Sequence, residues 1–399
     1  MSQQDIQRLK DRVMALIDRR ADEIVEISDQ IHSNPELAFE EFKAADLLST
    51  ALEGSGFAVE RGIAGLETAF KAALPASGGH PQPVIALLAE YDALPEIGHA
   101  CGHNIIAAAA VGAGMGLAGL GQELPGTVWV LGTPAEEGGG GKVYMVEDGV
   151  FDGVDAAMMV HPASRFLLGR GALAARSLTF TFHGRPAHAA GSPEKGINAL
   201  DGLIQTFNGV NALRQHLKEE VRIHGIVSKG GDAPNIVPEL AEGKFIVRAR
   251  SREYLDEVQE KVIRCAEAGA LAAGASLDVV EGVLYAERRP NKAMVQCFKA
   301  NLESLGISDI TVVDPMVGSG SSDIGNVSLT VPTIHPYIAI TDDAIGHSRE
   351  FTEASASPRA REAAVLAAKA LAITALDLML DDQMLAAARK EFETEVAGS

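Results

Sequence analysis

The stretch between Pro83 and Leu120 limits the possible folds of this chain more than any other. An apolar run, Val84–Ala89, is followed by a polar loop and then by a run of small and apolar residues, Ile105–Leu120. This pattern predicts a buried strand, a loop and a helix, an order typical of α/β folds. Ligands of open α/β sheets bind at the carboxyl ends of the strands, where this loop lies. The loop carries four side chains of chemical interest: Asp92, His99, Cys101 and His103.

Two further predicted strands also lead into polar side chains. Val128–Thr133 is followed by Glu136 and Glu137, and Ala156–Val160 is followed by His161. Because strand ends meet at one edge of an α/β sheet, three strands that each end in candidate ligands indicate a functional site at that edge.

The residue types at these ends suit a metal centre. Cys101 and His103 can converge on one ion if the loop turns at Gly102 between them. Glu136 and Glu137 point in different directions, so Glu137 can ligate a metal while Glu136 acts as general base on a metal-activated water. Two histidines beside turn residues complete the predicted ligand set: Cys101, His103, Glu137, His161 and His347. Five ligands exceed the four of a closed zinc site, and a bridging thiolate or carboxylate would let two ions share them.

Other interpretations of the same residues remain open at this point. A buried free cysteine beside a helix-capping histidine would account for Cys101 and His103, and a solvated turn would account for Glu136 and Glu137. A thiol hydrolase with Cys101 as nucleophile would need a base only two residues away and would leave the glutamates without a role. A non-catalytic binding protein on the same fold would not need a general base.

The sequence texture changes near Leu173 and returns to the first pattern near Asn291. Between these points the predicted order is strand, helix, strand, strand, helix, strand, which is that of a ferredoxin-like module. We therefore predict an α/β catalytic domain formed by residues 1–173 and 287–399, interrupted by an inserted α+β domain formed by residues 174–286.

The composition argues against some classes of partner. A net charge of −20, from 54 acidic and 34 basic residues, argues against binding of nucleic acid. No apolar run is expected to reach the roughly 20 residues of a membrane span, and the first residues lack the apolar block of a signal peptide. The three cysteines make no disulfide framework, which favours the reducing cytoplasm.

Several motifs occur in order along nearly the whole chain: Glu90-Tyr-Asp-Ala-Leu-Pro, His99-Ala-Cys-Gly-His-Asn, Gly132-Thr-Pro-Ala-Glu-Glu-Gly, Met159-Val-His-Pro, His183-Gly-Arg-Pro-Ala-His-Ala-Ala, Ala233-Pro-Asn-Ile-Val-Pro and Gly346-His-Ser. Together they resemble the motifs of metallo-amidohydrolases of the aminoacylase and carboxypeptidase G type. The Cys-Gly-His form is similar to the branch that holds p-aminobenzoyl-glutamate hydrolases, hippurate and auxin-conjugate hydrolases, and Xaa-Arg dipeptidases.

This resemblance implies a di-metal catalytic domain with a mostly parallel sheet, interrupted by a lid domain that also forms a homodimer. It implies that the five predicted ligands hold two divalent ions, that Glu136 is the base and that Asp92 orients a ligand. It also implies that His188 of the lid stabilises the tetrahedral oxyanion in the other subunit, and that Asn235 and Arg248 hold the substrate's carboxylate. A guanidinium suits the last role because it binds a carboxylate through two hydrogen bonds.

The resemblance also sets the expected reaction and metal. The expected reaction is hydrolysis of an amide or peptide bond next to a free carboxylate, in an N-acyl amino acid, an aminobenzoyl-glutamate or a dipeptide. Many relatives carry His-x-Asp where this chain has Glu90-Tyr91-Asp92, and an aspartate where it has Cys101. The thiolate favours zinc, whereas relatives of this branch often use manganese, so either ion is expected, with cobalt as a further option.

Overall fold

The computed structural model describes residues 3–76, 83–318 and 320–396, and these residues form two compact units. The larger unit takes its residues from Met1–Gly171, Arg288–Gly318 and Ser322–Ser399. The smaller unit takes its residues from Ala172–Glu287 and Ser319–Ser321. Their roles as catalytic domain and lid stay predictions.

The helices and strands alternate along most of the described chain. The helices are α1 (Gln3–Arg19), α2 (Ala21–Ser33), α3 (Phe42–Gly54), α4 (His103–Ala118), α5 (Gly141–Glu147), α6 (Ala199–Leu213), α7 (Arg252–Ala273), α8 (Lys292–Ser304), α9 (Ile324–Ser328), α10 (Arg349–Ala354), α11 (Pro358–Leu380) and α12 (Asp382–Val396). The strands are β1 (Ala58–Arg61), β2 (Phe70–Leu74), β3 (Val84–Ala89), β4 (Thr127–Gly132), β5 (Ala156–Met158), β6 (His161–Ala163), β7 (Phe166–Leu168), β8 (Ala174–His183), β9 (Arg222–Lys229), β10 (Leu240–Ala249), β11 (Ser276–Glu281), β12 (Ile310–Val312), β13 (Thr333–Ile334) and β14 (Tyr337–Ala339).

The described part of the larger unit is built on a six-stranded sheet in the order β1-β2-β4-β3-β5-β13. β3 pairs in parallel with β4 and β5, and β5 pairs in parallel with β13. The pairs β1–β2 and β2–β4 are antiparallel. The sheet is therefore mixed and mostly parallel, which confirms the predicted α/β class. Every residue of β3 is buried, as expected of the strand that precedes the polar loop.

The strand before His161 is shorter than the sequence predicts. Instead of one strand over Ala156–Val160, the structure ends β5 at Met158 and begins β6 at His161. The backbone N–H groups of Met159 and His161 donate to the carbonyl groups of Ile334 and Pro336, at 3.2 and 2.9 Å. The chain thus follows the segment after β13 out of the first sheet and into a second, four-stranded sheet in the order β12-β7-β14-β6.

Helix α4 is buried from His103 to Leu117. Its glycines let neighbouring helices come close: a Cβ atom on Gly112 would lie 2.7 Å from Cδ1 of Ile24 in α2, and one on Gly116 would lie 2.4 Å from Cγ1 of Ile17 in α1. Larger side chains would force these helices apart, because protein cores are close-packed. The small-residue run seen in the sequence is therefore the signature of a central core helix.

Helix α11 packs against α4 and is also apolar. It is long and apolar enough to cross a membrane by length and composition, so the expectation that no segment reaches that length is wrong. However, 72% of its apolar stretch is buried inside the protein. Its composition is explained by this burial, and one such helix is weak evidence for a membrane protein.

The smaller unit contains a four-stranded antiparallel sheet in the order β11-β8-β10-β9. Along the chain β8 is followed by α6, β9, β10, α7 and β11, which is the ferredoxin-like order predicted from the sequence. Every second residue of β10 is buried, and α6 and α7 pack over the buried face of the sheet. This arrangement is a separate α+β fold with its own apolar core.

Candidate metal centre

The Cys-Gly-His turn places Cys101 and His103 beyond the carboxyl end of β3. Gly102 has a φ of +76° and directly precedes α4, which begins at His103. A Cβ atom at position 102 would lie 2.8 Å from Cγ of Pro162, the residue after His161. The turn therefore requires glycine, both for its left-handed backbone and for the close approach of the Pro162 segment.

The five predicted ligands and the predicted base lie together in the larger unit. Their ligand atoms form three groups whose members lie within 4.8 Å of one another: Cys101, His103 and His161; Cys101, Glu137 and His347; and His103, Glu136 and Glu137. Sγ of Cys101 lies 3.4 Å from Nε2 of His161, and Oε1 of Glu137 lies 3.3 Å from Nε2 of His347. The first two groups share the Cys101 sulfur, as expected of a thiolate that bridges two ions. That these side chains bind metal stays a prediction.

Two of these ligand atoms are buried and have no hydrogen-bond partner within the described part of the chain: Nε2 of His103 and Oε1 of Glu137. They lie 3.9 Å apart. A buried polar atom without a partner costs about 1–3 kcal/mol, so each such atom requires an explanation. A divalent cation would satisfy both atoms, and thiolate, imidazole and carboxylate are donors for zinc and other first-row transition metals. The residues therefore fit a metal centre.

The buried Asp92 carboxylate orients two of the predicted ligands. Its Oδ1 accepts a hydrogen bond from Nδ1 of His103 at 2.9 Å, and its Oδ2 accepts one from the backbone N–H of Glu137 at 2.9 Å. His103 therefore presents Nε2 to the other ligands. Burial raises the pKa of Asp92, but His103 and the backbone hydrogen bond outweigh this effect and leave the pKa lowered. Metal-binding histidines are commonly supported by a carboxylate in this way.

The thiol of Cys101 is not activated by its surroundings. Burial raises its pKa well above the ordinary value, and the neighbouring carboxylates Glu136 and Glu137 add to the effect. Burial also lowers the pKa of His161 to about 4, so this imidazole is neutral and can offer a lone pair. Reactive cysteines have lowered pKa values, and a bound metal deprotonates a thiol directly. These surroundings favour a ligand role over a nucleophile role for Cys101.

The two glutamates lie in a tight loop after β4. Ala135 has a φ of +60°, which is unusual for a residue with a side chain. A Cβ atom on Gly141 would lie 2.1 Å from the carbonyl oxygen of Pro134, so the loop closes only with glycine there. Backbone strain such as that at Ala135 is concentrated at functional sites. In this loop, burial and repulsion from neighbouring carboxylates raise the pKa of Glu136 well above its usual value.

His347 reaches the centre from a surface loop. Its backbone N–H donates to the carbonyl group of Ala100 at 2.8 Å, which ties this loop to the one that carries Cys101. Its φ is +68°, and its side chain is 56% exposed. The neighbouring Glu137 carboxylate raises the pKa of His347. A backbone contact thus brings together two segments that are far apart in the sequence.

His188 and Asn235 lie on adjacent segments of the smaller unit, where the backbone N–H of Ala189 donates to the carbonyl group of Asn235 at 3.0 Å. Nδ1 of His188 accepts hydrogen bonds from the N–H groups of Ala190 and Gly191 at 3.2 and 3.0 Å. An accepting Nδ1 bears no proton, so the neutral ring carries its proton on Nε2 and can donate from there. Both predicted residues are exposed.

Arg248 lies on β10 and is half-buried. Its Nη1 donates to Oγ of Ser321 at 2.7 Å, and burial lowers its pKa. An arginine remains charged in proteins in spite of such a shift, and this one has further N–H donors beyond the one that Ser321 accepts. Its predicted contact with a substrate carboxylate stays a prediction, as do the roles of His188 and Asn235.

A buried ion cluster, which the sequence does not reveal, lies beside the centre. Nζ of Lys142 lies 2.6 Å from Oε1 of Glu90 and 2.8 Å from Oδ1 of Asp323, and all three side chains are buried. Burial alone would lower the pKa of Lys142, but the two carboxylates raise it. Burial raises the pKa of Asp323 to about 6 in spite of the lysine. Two features of the sequence could have pointed to this cluster. Lys142 directly follows a glycine run, and Glu90 directly follows the apolar strand β3.

A cleft of about 290 Å³ opens beside the candidate centre. The residues that line the cleft include Cys101, His161, Arg170, Tyr337 and Ile345. The guanidinium carbon of Arg170 lies 5.7 Å from the centre of the Tyr337 ring. The volume is at the small end of the range for ligand sites, so the cleft suits a small organic group.

The chain is similar to known hydrolases. The sequence profile of peptidase family M20/M25/M40 matches residues 86–370. A Mus musculus Xaa-Arg dipeptidase is 39% identical over 405 residues, an alignment that covers 98% of this chain and 94% of the relative. One of the subunits of the Escherichia coli (strain K12) p-aminobenzoyl-glutamate hydrolase is 37% identical over 304 residues, which cover 70% and 62% of the two chains.

Solved structures show the same fold at lower identity. An aminobenzoyl-glutamate utilization protein from Klebsiella pneumoniae has a TM-score of 0.73 at 20% identity, over 90% of this chain and 97% of that one. A Bacillus subtilis protein described as a dinuclear metal-binding peptidase of family M20 has a TM-score of 0.66 at 21% identity, over 90% and 99%. Given the profile match and the nearly full-length relatives, the chain belongs to peptidase family M20/M25/M40 and is a hydrolase of the metallopeptidase and amidohydrolase class.

Proposed function

We propose that the protein hydrolyses an amide or peptide bond next to a free carboxylate, with a dipeptide as the preferred class of substrate. N-acyl amino acids and aminobenzoyl-glutamates are the other members of the same chemical class. The observation that carries the proposal is the pair of ligand groups that share Cys101, with Glu136 beside them. The nearly full-length identity to an Xaa-Arg dipeptidase supports the choice of dipeptides.

Two divalent ions would be held by the two groups that share a sulfur atom. Cys101, His103 and His161 would hold one ion, and Cys101, Glu137 and His347 would hold the other. When bound, such ions polarise a carbonyl group and lower the pKa of water to roughly 7. The dinuclear metal site named for the Bacillus subtilis relative supports two ions rather than one. The thiolate and imidazole donors favour zinc, with manganese and cobalt as alternatives.

Glu136 would act as the general base. Its carboxylate takes a proton from the attacking water as the water oxygen bonds to the carbonyl carbon, and passes that proton to the amide nitrogen as the C–N bond breaks. The position of Glu136 supports this role, because it lies within one group with His103 and Glu137. Asp92 keeps His103 and the Glu137 backbone in place meanwhile.

His188 would donate its Nε2 proton as a hydrogen bond to the tetrahedral oxyanion in the other subunit of a homodimer. Such a donor acts where charge develops in the transition state. β9 is an edge strand of the smaller unit, and its Ile226 and Val227 are 64% and 47% exposed. An open strand edge with apolar side chains is a template for pairing with a second copy, which supports dimerisation through this unit. Asn235 and Arg248 would bind the substrate's carboxylate.

The cellular site proposed for this chemistry is the cytoplasm. The three cysteines are free thiols, which suits a reducing compartment. The net charge of −20 argues against nucleic acid as a partner, and small molecules are the proposed substrates.

Metal removal and restoration test the proposal. Dialysis against a chelator is expected to abolish hydrolysis of Xaa-Arg and Xaa-Lys dipeptides, p-aminobenzoyl-glutamate and N-acetyl amino acids, since the proposed centre supplies both water and carbonyl activation. Zinc, manganese and cobalt are then added back singly, and elemental analysis gives the ions bound per chain. Full activity in a metal-free preparation would refute the mechanism and return Cys101 to consideration as a nucleophile.

A further inference from the structure

Glu90 lies directly after β3, and no role described so far uses it. The residue is 1% exposed. Its Oε1 lies 2.6 Å from Nζ of Lys142. Its Oε2 is buried, has no hydrogen-bond partner in the ranges that the structure describes, and lies 3.5 Å from Nε2 of His103. One oxygen is thus paired with a lysine, and the other lies beside the nitrogen that His103 offers to a metal.

The distance between these two atoms suits a shared cation. Bonds of 2.0–2.2 Å place two ligands of one tetrahedral ion about 3.3–3.6 Å apart. The 3.5 Å between Oε2 of Glu90 and Nε2 of His103 falls in this interval, whereas Oε1 of Glu137 lies 3.9 Å from the same nitrogen. Glu90 belongs to none of the three ligand groups described above, and the predicted ligand atom beside it is Nε2 of His103.

Lys142 and Asp323 fix the Glu90 carboxylate. Asp323 accepts hydrogen bonds from both the side chain and the backbone N–H of Lys142, at 2.8 and 3.0 Å. Asp323 therefore holds Lys142 at two points, and the ammonium group of Lys142 forms an ion pair with Oε1 of Glu90. The cluster therefore places two carboxyl groups beside a single ammonium group in a buried setting. An uncompensated buried charge is costly, so a cation next to Oε2 would balance the second carboxyl group.

We propose that Glu90 is a further carboxylate of the metal centre, that its Oε2 contacts the cation held by His103, and that Lys142 and Asp323 are the residues that position it. This inference rests on the proposed function, because it requires the metal centre to exist. It assigns to Glu90, Lys142 and Asp323 a binding role that the five predicted ligands do not cover.

The test compares Glu90→Gln with Glu287→Gln in the full-length protein. Both substitutions remove a buried carboxylate without a change in shape. Glu287 is a matched control because it is buried in the smaller unit, belongs to none of the ligand groups, and accepts a hydrogen bond through Oε2 from the backbone N–H of Arg252 at 3.0 Å. Competition with a chromogenic chelator gives the affinity for zinc and for manganese, and elemental analysis gives the number of ions bound.

Glu90→Gln is expected to weaken the binding of at least one ion by about 10- to 100-fold, the usual scale for groups that support a metal site. Glu287→Gln is expected to bind metal like the wild type. If Glu90→Gln binds metal as tightly as the wild type, or if both variants lose the same metal affinity, the proposed role of Glu90 is wrong. The proposed function would not be affected by either result. Failure of the wild type to bind any divalent ion would overturn the proposed function as well.

Folding of the variant is controlled separately. Glu90→Gln leaves Lys142 paired with Asp323, so no buried ion is left without a partner and the fold should persist. Circular dichroism and the Tm of the metal-free variants check this. Glu90→Asp keeps the charge on a shorter side chain and should bind metal more tightly than Glu90→Gln. The reverse order would contradict the proposal even if Glu90→Gln proved unstable.

Discussion

Replacement of Gly102 by alanine tests whether the tight turn sets the geometry of the centre. A φ of +76° costs a residue with a side chain about 1–2 kcal/mol. The new Cβ atom would lie 2.8 Å from Cγ of Pro162, and ordinary contact begins at 3.4 Å, so the two segments must separate by about 0.6 Å (3.4 minus 2.8). Overpacking of this kind costs roughly 1–3 kcal/mol. The free energy of unfolding should therefore fall by roughly 2–5 kcal/mol.

Gly62→Ala is the matched control, because Gly62 has a φ of +71° and a Cβ atom added there would have no other atom within 4 Å. It should lose only the backbone contribution of about 1–2 kcal/mol and keep its metal affinity. Urea unfolding followed by the fluorescence of Trp129, which lies on β4, gives the stability of the larger unit. Chelator competition gives the metal affinity, which Gly102→Ala should reduce because Pro162 follows His161. If both variants lose the same stability and keep the same metal affinity, the close approach at Gly102 does not position the ligands.

Two further predictions concern the proposed chemistry. Glu136→Gln should keep its metal content and fold, while kcat falls by about 100-fold or more. Glu137→Gln should instead lose bound metal. If the two variants behave alike in elemental analysis and kinetics, the proposed division of roles between the two glutamates is wrong. His188→Ala should lower kcat strongly and keep its metal, and subunit exchange with Glu136→Gln should restore roughly a quarter to a half of wild-type activity, because one site per mixed dimer is then intact. No recovery under conditions of demonstrated exchange would show that His188 does not act across a dimer.

Much of the fold of the larger unit could be predicted because its signals are local. The apolar run of β3 and the small-residue run of α4 bracket the Cys-Gly-His turn, and each reflects burial on all sides. The order of elements in the smaller unit was predictable for the same reason. The proximity of Cys101, His103 and Glu137 followed from strand ends that share one edge of a sheet.

Contacts between distant segments could not be predicted in this way. The helical pattern near the start of the chain does not show where one helix ends and the next begins, yet the structure ends α1 at Arg19 and begins α2 at Ala21, and α4 packs against both. The pairing of Lys142 with Asp323 joins segments whose sequences give no sign of each other. A charged residue is usually exposed, so only tertiary structure reveals that these two are buried together.

The different depths of His103 and His347 have a consequence for the kinetics of metal exchange. His103 is the first residue of α4, which is buried from His103 to Leu117, so we expect its side chain to be released only when this end of the helix opens. His347 is carried by a surface loop and its side chain is 56% exposed, so a local fluctuation of that loop is enough to release it. The two ligand groups share a sulfur atom, but the ions that they hold would exchange at different rates. An ion on the His347 side would exchange quickly with the medium, while an ion on the His103 side would be retained for as long as the core stays folded.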